Sequence, residues 1–361
     1  MIIYTNYNQK PDLRAMFPEE LAEIPALIGE KKFRVKQLFS WMHDQKAASF
    51  DEMSNLPKSL RDRLADETEL VSLKVVQEQI SSLDGTRKYL FELADGNLIE
   101  SVYMEYSFGS SVCISSQAGC RMGCRFCAST IAGLERNLTA SEMLEQVYRI
   151  SQITGKRISH VVIMGSGEPL DNYDNVLRFL RLITCDQVKE PISRRNLTLS
   201  TCGLVPMIYR LAEDDPGVTL ALSLHAADDE TRKSIMPIAR KYSIAQILEA
   251  CDAYFQATGR RVSFEYSLIK GVNDSDEEAA KLSNLLKGRN CHVNLIPVNP
   301  VKERSYETVS RGYAQHFKKL LEKNGINATI RREMGRDIDG ACGQLRRSYS
   351  RKKEEKTGQD A

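Results

Sequence analysis

The sequence predicts an α/β protein: a partial barrel of six βα units, preceded by an N-terminal helical unit and a small antiparallel β layer. From residue 111 onwards, short apolar strands alternate with longer helical stretches, and this alternation is typical of βα units. Strands such as 160–164 and 218–224 are apolar at nearly every position, as expected when helices cover both faces of a parallel sheet. The count of six units favours a partial barrel over a closed barrel of eight.

The units are defined by six predicted strands and by the helices that follow them. The predicted strands are 112–117, 160–164, 196–200, 218–224, 262–269 and 292–298. The predicted helices are 140–154, 175–184, 206–212, 245–257 and 277–287.

Two smaller units precede the barrel. The pattern is helical from residue 21 to about 70, and between 75 and 106 it changes to alternating strands with hairpin turns at Asp84-Gly85 and Asp95-Gly96. The expected domains are an N-terminal accessory helical domain (1–72), a β-hairpin extension (73–110), the (β/α)6 core with a late cysteine loop (111–345) and a basic, disordered tail (346–361).

Composition limits the class of protein. Of the 361 residues, 42% are hydrophobic and 27% are charged, which is typical of a globular protein with a buried core. No apolar run approaches the roughly 20 residues of a membrane helix, and no secretory signal is present, so a cytoplasmic protein without a membrane contact is expected. The formal net charge of +2 does not by itself indicate a nucleic-acid partner. Nine cysteines in such a chain indicate metal ligands or catalysts rather than a disulfide framework.

The strongest local motif is a group of three cysteines in one loop, directly after the first barrel strand. Cys120, Cys124 and Cys127 are spaced C-x3-C-x2-C. A cubane iron–sulfur cluster takes four cysteine ligands, so three leave one iron open to bind a substrate. A structural zinc site is the alternative, but it requires four ligands, and the loop contains no fourth Cys or His.

Polar and glycine residues follow the later barrel strands at the points where these strands end. Such residues usually cap or satisfy backbone groups, but their shared position at the carboxyl ends of successive strands favours a common ligand. They are Gly167, Glu168, Ser200, Ser223, His225 and Asn299.

The cysteine spacing, with Phe126 before the last cysteine, resembles the signature of the radical S-adenosylmethionine (SAM) superfamily. The resemblance implies a partial (β/α)6 radical SAM barrel and a 4Fe–4S cluster held by Cys120, Cys124 and Cys127. In that superfamily the open iron chelates SAM, and one electron from the cluster cleaves SAM to give a 5′-deoxyadenosyl radical.

The segments SSQAGC, SLHAADD, LIPVNP and DIDGACGQL further resemble the RlmN family of dual-specificity RNA methyltransferases, from Glu30 to Leu345. The family methylates C2 of an adenine in 23S ribosomal RNA, at the peptidyl-transferase centre, and in tRNA beside the anticodon. The resemblance implies that SAM contacts Gly167, Glu168, Ser200, Ser223, Leu224, His225 and Asn299.

The same resemblance implies roles for three further residues. The cysteine that matches Cys342 receives a methyl group from one SAM, and a second SAM supplies the radical that activates it. The cysteine that matches Cys113 resolves the RNA adduct by forming a disulfide with Cys342, while Glu100 matches the proposed base. Implied partners are an electron donor of the flavodoxin type and a thiol reductant, and a monomer is expected.

RNA contacts and rival functions follow from the same motifs. We expect the N-terminal basic helical unit and Arg331-Arg332 to hold phosphates. The nearest rival is a Cfr-like enzyme that methylates adenine C8, although the GEPL form at Gly167–Leu170 favours RlmN. A noncatalytic RNA-binding protein stabilised by a metal is a rival from another class.

Overall fold

The computed structural model describes residues 10–301, 303–338, 345–346 and 348–349. Cys342 and most of the predicted tail lie outside the described residues. Twelve strands are present in this part of the chain. They are β1 (Lys74–Ile80), β2 (Arg87–Glu92), β3 (Leu98–Tyr106), β4 (Gly109–Ile114), β5 (Gln117–Gly119), β6 (Leu134–Asn137), β7 (Ile158–Ile163), β8 (Leu197–Thr201), β9 (Thr219–Ser223), β10 (Val262–Leu268), β11 (Cys291–Pro297) and β12 (Ala328–Ile330).

Ten α-helices accompany the strands in the described residues, together with short 3-10 turns. They are α1 (Pro18–Leu21), α2 (Lys32–His43), α3 (Lys58–Glu67), α4 (Ala140–Thr154), α5 (Tyr173–Ile183), α6 (Val205–Asp214), α7 (Asp229–Ile235), α8 (Ile244–Thr258), α9 (Asp276–Leu286) and α10 (Arg311–Lys323). The five helices predicted for the barrel correspond to α4, α5, α6, α8 and α9.

One sheet of ten strands organises the molecule, in the order β1-β2-β3-β4-β7-β8-β9-β10-β11-β12. Pairing is antiparallel from β1 to β4 and parallel from β4 to β12. The six predicted barrel strands are present, so the predicted α/β class is confirmed. The sheet gains a seventh parallel strand, β12, which is only three residues long and was too short to recognise from its pattern. The antiparallel strands are not a separate layer, because β3 pairs directly with β4.

The sheet curls into a partial barrel. Val102 on β3 and Cys113 on β4 line the same cavity as Ile296 on β11 and Arg331 after β12. Five strands separate β3 from β11 in the sheet order, so only a strongly curved sheet brings these side chains together. The two edges of this open barrel are β1 and β12.

The N-terminal helices share one apolar core with the barrel. Leu38 on α2 and Leu64 on α3 are fully buried in the same cluster as Leu144 on α4. The contact also carries a buried ion pair, in which Arg14 Nη1 lies 2.6 Å from Glu145 Oε1 and both side chains are inaccessible. None of the described helices is long and apolar enough to cross a membrane.

Candidate functional site

A cavity of about 250 Å³ opens at the carboxyl ends of the parallel strands. The structure brings nearly all of the residues predicted to bind a metal or cofactor to this one cavity, although they come from five separate strand ends and loops. The lining residues among them are Cys120, Cys124, Cys127, Gly167, Glu168, Ser200, Ser223, His225 and Asn299.

The turn after β7 is pressed against the turn after β4, and this contact requires glycine. Gly167 has a φ of +112°, and a Cβ atom there would lie 2.7 Å from Ser116 Oγ and 2.8 Å from Gln117 N. Gln117 also accepts a hydrogen bond from the backbone N–H of Glu168 through its side-chain oxygen, at 2.8 Å. A side chain at position 167 would therefore push the two turns apart.

Glu168 is buried with its carboxylate held in one orientation. Its Oε2 accepts a hydrogen bond from the backbone N–H of Cys202 at 2.7 Å, and its Oε1 accepts one from Leu170 at 3.1 Å. Burial raises the pKa of Glu168, and the two backbone hydrogen bonds oppose that rise. The carboxylate retains lone pairs that can accept further hydrogen bonds from an ammonium group.

The ends of β8 and β9 meet beside this carboxylate. Ser200 and Ser223 approach each other across the two strands, with their hydroxyl oxygens 3.5 Å apart. Leu224 does not line the cavity with its side chain, because that side chain is fully buried. Its backbone N–H instead donates to Glu265 O at 3.0 Å.

His225 adopts a left-handed backbone conformation, with a φ of +57°. Its Nδ1 accepts a hydrogen bond from the backbone N–H of Ser267 at 2.9 Å, so a neutral ring carries its proton on Nε2. Burial, followed by the charge of Arg232, lowers the pKa of His225 to about 3. The ring packs edge-on against Phe126 of the cysteine loop at 5.0 Å and is neutral at physiological pH.

A second cavity, of about 370 Å³, adjoins the first and contains Cys113. The two cavities share the lining residues Ile296, Val298, Asn299 and Arg331. Cys113 lies on β4 opposite Val102, within the curved sheet, and is 4% exposed. The predicted partner cysteine, Cys342, lies outside the described residues.

Glu100 lies on β3, two residues before Val102, and therefore on the same face of the sheet as Cys113. It is buried, and its Oε2 lies 2.9 Å from Nζ of the fully buried Lys88. Its Oε1 accepts a hydrogen bond from the backbone N–H of Arg346 at 2.5 Å. The carboxylate thus bridges the antiparallel strands and the chain that follows Cys342.

Comparisons with known proteins agree with this architecture. A sequence profile of the Radical SAM superfamily matches residues 114–283, and a profile of the Ribosomal RNA large subunit methyltransferase N-terminal domain matches residues 12–70. The chain is 58% identical to a probable dual-specificity RNA methyltransferase RlmN of Lachnospira eligens over 347 residues, covering 96% of this chain and 99% of the relative. The corresponding protein of Lachnoclostridium phytofermentans is 56% identical, with 95% and 96% coverage.

This chain belongs to the RlmN family. A solved structure gives the same result for the fold: a radical SAM methyltransferase from Sphaerobacter thermophilus superposes with a TM-score of 0.88 and 43% sequence identity. That match covers 92% of this RlmN-family chain and 98% of the solved chain. The predicted family and the partial radical SAM barrel are thereby confirmed.

The three loop thiols of this RlmN-family chain fit an iron–sulfur cluster by their chemistry. Burial raises the pKa of Cys120 to about 12, and burial with the nearby Cys127 and Cys120 also raises that of Cys124. Thiolates at these positions therefore need a cationic partner, which a cluster supplies. Across the described ranges, no three His, Cys, Asp or Glu side chains converge as ligands of a single ion. A cubane cluster requires its thiolates to lie farther apart than the ligands of a single ion, because each thiolate binds a different iron.

Sequence reasoning missed two buried residues that hold the strand ends of this chain in place. Arg232 on α7 is fully buried and donates to Cys202 O at 2.7 Å and Leu224 O at 3.1 Å. Asn273 donates to both His225 O and Ser267 O at 2.7 Å. Neither residue has a local sequence signal, since the residues around a buried Arg or Asn do not distinguish it from an exposed one.

A buried carboxyl group in the wall of the first cavity was also missed. Glu265 on β10 accepts a hydrogen bond from Asn294 Nδ2 at 2.8 Å, and it lines the first cavity together with Arg331. Burial raises the pKa of Glu265, while Asn294 and the charge of Arg331 lower it. Arg331 borders both cavities and so places a positive charge where they meet.

Proposed function

We propose that this chain methylates C2 of an adenine in 23S ribosomal RNA and in tRNA, using SAM and a 4Fe–4S cluster. One observation carries the proposal: the three loop cysteines and the strand-end residues line a single cavity, and that cavity shares a wall with the one that contains Cys113. A cofactor in the first cavity would therefore lie next to a substrate in the second.

Cys120, Cys124 and Cys127 would hold the cluster. The bound cluster and SAM together supply a 5′-deoxyadenosyl radical. The Glu168 carboxylate is held in place to receive the ammonium group of SAM, and Gly167 lets the backbone approach it. Ser200, Ser223 and Asn299 present polar groups, while Leu224 and His225 contribute chiefly through the backbone that Arg232 and Asn273 fix.

The target carbon explains why the chain needs two further cysteines. Adenine C2 lies between two ring nitrogens and is electron-poor, so it does not attack the methyl group of SAM as a nucleophile. The Cys342 thiolate makes that attack instead and carries the methyl group as a thioether. After hydrogen-atom abstraction from this methyl group, the carbon radical adds to C2 and ties the RNA covalently to Cys342, and a one-electron acceptor must then take one electron from the resulting ring radical.

Cys113 and Glu100 complete the proposed sequence. Glu100 removes the proton from C2, and the Cys113 thiolate attacks the Cys342 sulfur to form a Cys113–Cys342 disulfide. The electron pair of the broken carbon–sulfur bond stays on the former methyl carbon, which takes up a proton and becomes the methyl group of the product. Glu100 accepts hydrogen bonds from two donors, yet a carboxylate has about four lone-pair sites and keeps acceptor capacity. A thiol reductant must then restore the two thiols, and an electron donor of the flavodoxin type must reduce the cluster.

RNA binding is assigned to basic residues at two places. The first is the N-terminal accessory helical domain, proposed to span 1–72, where Lys31 and Lys32 are exposed at the start of α2. The second is Arg331 and Arg332, which border the cavity that contains Cys113. We retain the other proposed divisions, at 73–110, 111–345 and 346–361, and a monomeric, cytoplasmic enzyme.

Anaerobic reconstitution tests the proposal. Protein reconstituted with iron and sulfide, then given SAM and dithionite, should release 5′-deoxyadenosine, and a Cys124→Ala variant should not. Mass spectrometry of digested ribosomal RNA and tRNA should then locate the added methyl group at adenine C2. A C8 product would assign the Cfr-like reaction instead. Protein that holds zinc, or that holds iron but leaves SAM intact, would contradict the proposal.

A further inference from the structure

The two edges of the curved sheet are joined by a short segment that we call the bridging segment, residues 331–338. It leaves β12, one edge of the sheet, where the backbone N–H of Arg331 donates to Leu295 O at 2.8 Å. It ends against the turn between β1 and β2 at the other edge. The segment therefore spans the open side of the barrel.

One carboxylate makes most of the contact at the far end of the bridging segment. Asp337 Oδ1 accepts a hydrogen bond from Ser81 Oγ at 2.6 Å, and its Oδ2 accepts two from Ser82, from the backbone N–H and from Oγ, both at 2.8 Å. These hydrogen bonds lower the pKa of Asp337 to about 2, so the carboxylate is ionised throughout the neutral range. Charge-assisted hydrogen bonds of this kind are stronger than neutral ones.

A reciprocal contact supports the same junction. Asp84, in the β1–β2 turn, accepts a hydrogen bond through Oδ2 from the backbone N–H of Gly335 at 3.0 Å. Gly335 has a φ of +63°, and a Cβ atom there would lie 3.2 Å from Thr86 Cγ2. Glycine at this position lets the bridging segment lie directly on the turn.

The chain is held again after Cys342, and by the same antiparallel strands. Glu100 on β3 accepts the hydrogen bond from the backbone N–H of Arg346, and the adjacent Leu345 is fully buried. Cys342 is thus flanked in sequence by two anchors, Asp337 and Arg346. Asp337 is hydrogen-bonded to the turn between β1 and β2, and Arg346 is hydrogen-bonded to β3, so both contacts are with the antiparallel strands rather than with the parallel barrel.

We propose that Asp337 is a positioning residue that fixes the segment from which Cys342 reaches the active site. This inference rests on the proposed role of Cys342 as methyl carrier. Cys342 is five positions after Asp337 in the sequence, so their Cα atoms can be at most roughly 18 Å apart. Ile338 lines the same cavity as Cys113, so the segment leads into the chamber where the two cysteines must meet. Through Asp337 and Arg346, the antiparallel strands and their turn hold the described residues on either side of Cys342.

The first test measures the contact itself and needs neither cluster nor SAM. Trypsin can cut after Arg331, Arg332 and Arg336, which are exposed within the bridging segment. We expect Asp337→Ala to speed cleavage at these sites about tenfold, because three charge-assisted hydrogen bonds are lost. Asp276→Ala, which removes an exposed carboxylate that begins α9 and pairs with His316, should leave cleavage unchanged. Equal cleavage of Asp337→Ala and the parent protein would overturn the proposal.

The second test separates positioning from general damage. Reconstituted Asp337→Ala should carry about tenfold less methyl on Cys342, measured by peptide mass, and kcat for RNA should fall by a similar factor. Release of 5′-deoxyadenosine without RNA, the KM for RNA and the melting temperature should stay close to those of the parent. A parallel fall of all these quantities would show a merely structural residue and reject the inference.

A double-mutant cycle provides the final check. Removing both hydroxyls with Ser81→Ala and Ser82→Ala should reduce the methylation of Cys342. When Asp337→Ala is added, the total loss of methylation should be smaller than the sum of the two separate losses, because the groups form one contact. Full additivity would contradict the assigned pairing. If the parent protein transfers no methyl group at all, the proposed function fails, whereas the proteolysis result still decides whether Asp337 anchors the segment.

Discussion

Cys113 lies within a strand, and its position limits what it can reach. On β4 it is paired with Val102 on one side and Val162 on the other, and it is 4% exposed. Its backbone is therefore rigid, and any sulfur that it attacks must be brought to it. This arrangement suits a resolving thiol, which must stay apart from Cys342 until the RNA adduct has formed.

Replacing Cys113 should trap that adduct. In Cys113→Ala the carbon–sulfur bond between RNA and Cys342 has no thiolate to break it, so the enzyme should remain covalently attached to its RNA. Denaturing gel electrophoresis with labelled RNA measures the attached fraction, which we expect to approach one RNA per active enzyme.

The control for this experiment is Cys185→Ala, which removes a half-buried thiol that lines neither of the two site cavities. It should turn over without accumulating an adduct. Sustained methylation by Cys113→Ala, with no attached RNA, would refute the resolving role.

At the scale of elements, the junction between the N-terminal helices and α4 contains an unusual carboxyl group. Asp12 is 1% exposed; its Oδ1 accepts a hydrogen bond from Ser141 Oγ, and its Oδ2 has no partner among the described residues. Burial is the main cause that raises its pKa to about 7, with Glu142 and Glu69 adding to the rise and Ser141 and Arg14 opposing it. The proton is therefore bound more tightly in the folded chain than in the unfolded one.

This raised pKa predicts a specific dependence of stability on pH. The contribution of Asp12 to the free energy of unfolding is fully present below its ordinary pKa of 3.8, and it is lost as the pH rises through about 7. Asp12→Asn keeps an oxygen for Ser141 and cannot ionise, so its melting temperature should exceed that of the parent at pH 8 by about 2 °C or more. The difference should shrink at pH 5.

The measurement is a thermal melt at both pH values, with Asp62→Asn as the control. Asp62 is an exposed carboxylate on α3 that pairs with Lys58, and its removal should shift the melt little at either pH. If the difference in melting temperature between Asp12→Asn and the parent is the same at pH 5 and at pH 8, the raised pKa of Asp12 is contradicted.

At the scale of the whole molecule, charge is distributed rather than concentrated. A net charge of +2 over 361 residues gives little overall attraction to RNA, so binding must depend on local basic groups. Lys31 and Lys32 begin α2 beside the exposed Phe33, whose ring faces Arg34 at 4.8 Å. This end of the molecule combines cations with an aromatic surface, as RNA-binding surfaces commonly do.

Charge reversal at this end should weaken RNA binding in a salt-dependent way. The double variant Lys31→Glu, Lys32→Glu should lower RNA affinity at low salt. It should also reduce the magnitude of the slope of log affinity against log salt concentration by about 1 to 2, because each phosphate contact contributes about 0.7 to 0.9 to that slope. Release of 5′-deoxyadenosine should survive, because α2 lies away from the first cavity.

A matched control is available on α10, where Lys319 and Lys323 are also exposed. Reversing both changes the net charge by the same amount but should leave the salt slope nearly unchanged. Equal slopes for the parent and the α2 variant, measured by filter binding at several salt concentrations, would remove the N-terminal helices from the RNA interface.

Much of the barrel could be predicted from the sequence because its signals are local. The predicted helix 140–154 matches α4 at both ends, since Thr139 forms a capping box with Glu142 and Gly155 ends the helix in a left-handed conformation. The turns at Asp84-Gly85 and Asp95-Gly96 are also present, with Gly85 and Gly96 at positive φ. The elements that escaped include the short β12 and α7, and the longer α10, which precedes β12.

The sequence by itself determined the family and the fold class of this protein, because the cysteine spacing, the order of strands and helices, and the polar residues that end the strands are all features of neighbouring residues. Only the tertiary structure decided which distant groups meet. Ser81 and Asp337 are 256 residues apart and form one hydrogen bond, and Arg232 reaches the carbonyls of Cys202 and Leu224 from a different element. Such contacts depend on how the curved sheet and the segments around it pack in three dimensions, and the periodicity of a single segment does not determine that packing.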